Sequence, residues 1–107
     1  MAHRLESVEA LQVGELRMGR ATLNLYREMP EPGAAAEQRW TVFGRVGRAV
    51  SLPDESDALL VLEDGRVFRG RVILEHSRTT IDWRGRTTEY EYRGAGTLDG
   101  ATDADFG

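Results

Sequence analysis

The chain has 107 residues, 40% hydrophobic and 30% charged, with a net charge of −4. That is enough apolar content for one modest core and too much for a fully disordered chain. The absence of cysteine excludes disulfides, thiolate metal sites and thiol chemistry. No apolar run approaches the roughly 20 residues of a membrane helix, and MAHRLESVEA lacks the apolar centre of a secretory leader, so the expectation is a cytoplasmic protein without membrane contact. All fourteen basic residues are arginine; a GC-rich coding bias explains this more simply than selection for bidentate donors.

In chain order, Leu5, Val8 and Leu11 have helical spacing, whereas Val8, Ala10 and Gln12 fit a strand that returns through Gly14 toward Leu16 and Met18. Both readings stand for the segment before Gly14, with the strand preferred. From Ala21 to Glu28, Leu23, Leu25 and Arg27 alternate with Asn24, Tyr26 and Glu28, the period of a half-buried strand. Two prolines and a glycine make Met29–Gln38 an exposed, mobile loop. Trp40, Val42, Gly44 and Val46 then alternate with Thr41, Phe43 and Arg45, a strand in which Gly44 and Gly47 would permit a bulge or bend. Ser51–Asp57 reads as a loop around Pro53.

Asp64-Gly65 separates two strand-like runs and reads as a two-residue hairpin loop. That register sets Glu63 against Arg66, Val61 against Phe68 and Leu59 against Gly70. It turns Leu59, Val61, Phe68, Val72 and Leu74 inward, with Leu60, Leu62, Val67 and Ile73 on a second, partly covered face. A second hairpin spans Arg78–Leu98 with Arg84-Gly85 as its loop, Arg78 opposite Glu91 and Thr79 opposite Tyr90. It groups Ile81, Trp83, Tyr90 and Tyr92 on one face and Thr80, Asp82, Arg84, Glu89, Glu91 and Arg93 on the other. The expected fold is all-β, a small antiparallel barrel or sandwich of six to seven strands built from sequential hairpins. One domain covers 1–98, followed by a disordered acidic tail over 99–107.

Few residues suggest chemistry. His3 and His76 are the only histidines and neither has a partner motif. Asp54, Glu55 and Asp57 lack the glycine and distal glutamate of a calcium loop, and Glu89 with Glu91 read as solvated charges on a strand rather than a glycosidase pair. There is no nucleophile elbow, phosphate loop or zinc spacing. The expectation is a non-enzyme with no catalytic residues, metal or cofactor. Six Gly-Arg dipeptides and the arginines Arg66, Arg69, Arg71, Arg78, Arg84, Arg86 and Arg93 form the candidate binding set. An arginine-rich face of the C-terminal sheet suits a nucleic-acid-binding small barrel, although a pI near 5.2 opposes it.

The preferred reading is a non-catalytic module for protein interaction or self-assembly. Its basis is the second apolar face, the long loop and the arginine-rich strand edges. The ending Glu91–Leu98 (EYRGAGTL) is similar to the terminal strands of small β-domain proteins of phage tails. The stretch is too short to name a family, and the likeness implies at most a bacterial or phage-like assembly module.

Overall fold

In the computed structural model, which describes residues 3–106, each period-two pattern becomes a strand: β1 (His3–Val13), β2 (Leu16–Glu28), β3 (Glu37–Val46), β4 (Glu55–Leu62), β5 (Val67–Asp82) and β6 (Gly85–Gly94). The six close into an antiparallel barrel in the order β1-β2-β3-β6-β5-β4. Closure leaves the body of the sheet without a free edge, so the arginine-rich open edges expected from the sequence are absent there. Of the segment before Gly14, the described residues His3–Val13 are strand. Its helical spacing of Val8 and Leu11 arises from a register shift between them, which keeps both inside along with Val13.

The register of the first hairpin differs from the sequence expectation. Gly65 N donates to Leu62 O (3.0 Å) and Leu62 N to Arg66 O (2.9 Å), so the loop is Glu63-Asp64-Gly65, with Gly65 at φ +92°. This is a type I turn closed by a left-handed glycine, the usual three-residue hairpin. The extra residue moves β4 by one relative to β5: Leu60 pairs with Phe68 and Leu59 with Arg69. A shift of one reverses the faces. Ala58, Leu60 and Leu62 point inward beside Phe68 and Val72, while Leu59, Val61 and Leu74 are only half-buried. Gly44 sits in unbroken ladders with β2 and β6 rather than at a bulge; the irregularities fall on β1 and between Leu74 and His76.

The core joins Leu11, Leu23, Val42, Leu60, Phe68 and Tyr92, one from each strand of the barrel, each burial contributing about 1.5–3 kcal/mol before entropy is subtracted. The segment after β6, whose end over 99–107 was expected to be a disordered acidic tail, packs back on the barrel over its described residues. Ala95 N donates to Arg71 O, and Asp99 bridges to Arg69. A 3₁₀ turn, Asp103–Phe106, then buries Phe106 in the end of the barrel. Arg66 holds it there, bonding Asp105 at 2.8 Å while also reaching Glu6 and Asp64. The Thr102 amide, and then Arg66, keep the Asp105 carboxyl below the usual carboxylate range against the opposing effect of desolvation. Residue 107 lies outside the described residues, so the expectation for it has no structural counterpart here. Among the described residues no helix is long and apolar enough to cross a membrane.

Candidate functional site

The strands do not all end together, and that mismatch builds the most distinctive surface. β3 stops at Val46, opposite Thr88 of β6, and β4 begins at Glu55, opposite Ile73 of β5. Beyond those residues β5 and β6 pair only with each other, down to Asp82 opposite Gly85. With about 3.3 Å per residue, the three residues Thr80–Asp82, paired with Gly85–Thr87, carry this ribbon roughly 10 Å past the last residue of β3 before the turn is added. The molecule is correspondingly long, 50 × 31 × 22 Å.

At the root, Thr88 is buried, and its hydroxyl donates to Arg48 O (3.0 Å). Its proton thus committed, it accepts from the Thr79 hydroxyl, also at 3.0 Å. At the tip the loop is Trp83-Arg84, one residue earlier than Arg84-Gly85. Asp82 Oδ1 accepts from Arg84 N (2.8 Å) and Gly85 takes φ +120°. Moving the loop by one residue changes the pairing by two, so that Arg78 opposes Glu89 rather than Glu91, and the facial grouping survives: Ile81 stays on the side of Tyr90 and Tyr92. The barrel ends before Ile81, however, so Ile81 is 70% exposed and Trp83 90%. They are not core residues. The Arg84 guanidinium lies 5.3 Å from the Trp83 ring centroid.

The seven candidate arginines do not form one face. Arg66 is at the opposite end of the barrel, bound into its carboxylate cluster. The hydrogen bond to Asp64, then that to Asp105, raises its pKa. Arg71 pairs with Asp57 and Glu55, which raise its pKa too, and Arg93 pairs with Glu75. Arg69 lines a groove of about 580 Å³ with Asp57, Arg71 and Asp99, beside the crossing 95–99 segment. Only Arg78, Arg84 and Arg86 gather, on the projecting ribbon. With Arg45 they line a hollow of about 460 Å³, interleaved with Asp82 and Glu89, and Arg45 pairs with Glu89 at 3.4 Å.

His76 faces Glu91 across the ladder and lines an open hollow of about 410 Å³ with Glu89, Glu91 and Phe43. All three polar groups stand exposed on the outer wall. Among the described residues no group of three potential ligands is placed to hold a metal. Asp57 and Glu55 are drawn to Arg71 instead.

Trp83 and Ile81 were hidden by their correct alternation with the core face. The available clue was composition: in Ser77–Thr88 (SRTTIDWRGRTT) they are the only apolar side chains, too few to make a core layer. No family model, curated protein or solved structure matches the chain.

Proposed function

We propose that this barrel is a non-catalytic docking module that engages a protein partner through the arm Ser77–Thr88. Ile81 and Trp83 are its apolar anchors, and Arg84 and Arg86 its polar surround. The observation that carries this reading is Trp83, almost wholly exposed on a ribbon that is itself held in one register. A rigid aromatic presented on a pinned hairpin loses little entropy on binding, which is why tryptophan and arginine dominate interface energetics. Burying about 200 Å² of indole at about 25 cal/mol per Å² gives roughly 5 kcal/mol. Association itself costs an estimated 4–15 kcal/mol, so Trp83 needs Ile81 and the flanking arginines to hold a partner.

A photoreactive amino acid at position 83, introduced in cells that make the protein, is expected to yield protein adducts. A control at an outward body position such as Thr22 should yield far fewer. Adducts to nucleic acid alone, or none, would sink the reading. The four-arginine hollow favours a second reading, in which the arm contacts phosphates. Its interleaved Asp82 and Glu89, and the base-indifferent Ile81, argue for the first. Labelled oligonucleotides titrated at low and raised salt separate them, because phosphate contacts weaken steeply as salt rises.

A further inference from the structure

Charge identifies a partner for the arm. Ser77–Thr88 holds three arginines and one aspartate, a net of +2, in a chain whose total is −4, so the remainder carries −6. The far end of the barrel is where β2 turns into β3. There Glu28 and Glu37 flank a loop, 29–36, that contains Glu31 and no basic residue. A single guanidinium, Arg39, is shared between Glu28 and Glu37. That end also bares Met29 (55% exposed) and, one turn of ladder inside it, Leu5 (64%), next to Tyr26 on the outer face of β1 and β2. Apart from Phe43 and Val67 on the side walls, the large exposed apolar side chains of the described residues thus divide between two ends. Ile81 and Trp83 lie at the basic one, Leu5 and Met29 at the acidic one.

We infer that the arm's partner is a second copy of this chain, the basic tip of one molecule seating on the acidic β2–β3 end of the next. The inference rests on the docking reading and adds the identity of the occupant. Tip and seat lie at opposite ends of the 50 Å axis and share no residue, so the contact is head-to-tail. A head-to-tail contact repeats, giving a closed ring or an open filament rather than a two-fold dimer. Like charges forbid the alternatives: arm on arm sets arginines together, and seat on seat sets glutamates together.

The test uses two disabled variants. In the armless variant an Asn-Gly turn replaces Thr80–Thr87, joining Thr79 directly to Thr88 in its native register. In the seatless variant Glu28→Lys, Glu31→Lys and Glu37→Lys reverse the loop's charge. If that triple change lowers the melting temperature, Leu5→Asp with Met29→Asp serves instead. By sedimentation at low salt, the full chain should form species larger than a dimer that shrink as salt rises.

Each variant alone should remain monomeric. Their mixture should give a one-to-one pair and nothing larger, because only one arm and one seat are left. A full chain that stays monomeric up to hundreds of micromolar overturns the inference, and so does a seatless variant that still self-associates. The cross-linking at position 83 tells the two failures apart. Adducts to another protein and none to this chain leave the docking reading standing without the self-assembly, whereas no protein adduct removes both.

Discussion

Gly94 lies against the indole of Trp40 so closely that any side chain there would overlap the ring. Gly70 meets the benzo edge of the same ring, where an added Cβ would come within 2.6 Å of Trp40 Cζ2. Trp40 is 2% exposed, and its Nε1 donates to Gly96 O at 3.1 Å. The glycines of Gly94-Ala95-Gly96 are therefore the seat of one buried aromatic. Gly94→Ala is expected to destabilise by about 1–3 kcal/mol through overpacking, and Gly70→Ala by less, since only the ring edge meets it. Chemical denaturation measures both. A Gly94→Ala protein as stable as its parent would mean that Trp40 is free to move.

Tyr90 and Tyr92, neighbours on the inner face of β6 with ring centroids 6.0 Å apart, are opposites in hydrogen bonding. The Tyr92 hydroxyl donates to Pro53 O at 2.8 Å, whereas the buried Tyr90 hydroxyl has no partner and rests above Gly44. An unsatisfied buried group is destabilising, and a satisfied one contributes about 0.5–1.5 kcal/mol. Tyr92→Phe should lower stability by about 1 kcal/mol, and Tyr90→Phe should leave it unchanged or raise it. Burial pushes both phenols up to about 12 from an unfolded value near 10. Their folded states favour the neutral form, so stability is level below pH ~10 and falls as pH rises toward 12. Tyr90→Phe should flatten part of that decline.

Alternation in Ala21–Glu28 and Trp40–Val46 made the sheet legible, because Leu23, Leu25, Trp40, Val42 and Val46 are buried while their neighbours between them are not. Register was less legible. Asp64-Gly65 supports a two-residue or a three-residue loop equally well, and the choice reverses which of Leu59 and Leu60 is buried. Only packing against β1 decides it: Leu60 opposes the inward Leu11 across that ladder. The surface candidates suffered from a different blindness. A local pattern states that Ile81 and Trp83 share a face with Tyr90, but not that the neighbouring strands stop before reaching them. The contacts of the tail were not legible in composition, since its acids look solvated until Arg66, far away in sequence, is brought beside Asp105.

That Arg66–Asp105 contact makes the capping segment acid-sensitive. The folded carboxyls of Asp105 and Asp64 titrate below their unfolded value near 3.8, chiefly through bonds from the Thr102 and Arg66 backbone amides. A depressed pKa contributes stability that is present above the unfolded value and is lost as pH falls through the folded one. Hydrogen exchange over 99–106 should therefore be protected at neutral pH and accelerate below pH ~4, before the barrel strands open. Asp105→Asn should move that loss of protection to neutral pH, because the amide cannot pair with Arg66 as an anion. Equal protection at pH 3 and 7 would show that Phe106 alone holds the cap.

The arm makes the reverse prediction, a large change in surface with little change in stability. Every residue from Glu75 to Arg86 is exposed, and the last contacts with the body are made by Thr79 and Thr88 through Arg48. Replacing Thr80–Thr87 by Asn-Gly removes no buried side chain and substitutes a strong hairpin turn, so the unfolding free energy should change by no more than about 1 kcal/mol. Heteronuclear NMR should keep the core resonances of Leu23, Val42 and Tyr92 in place. Trimming two residues further, to delete Thr79 and Thr88, breaks the link to Arg48 and leaves its carbonyl unpaired. That variant should lose about 1–3 kcal/mol. A steep loss from the first truncation would instead make the ribbon part of the barrel's structure, and its exposed tryptophan would then need an explanation within the fold.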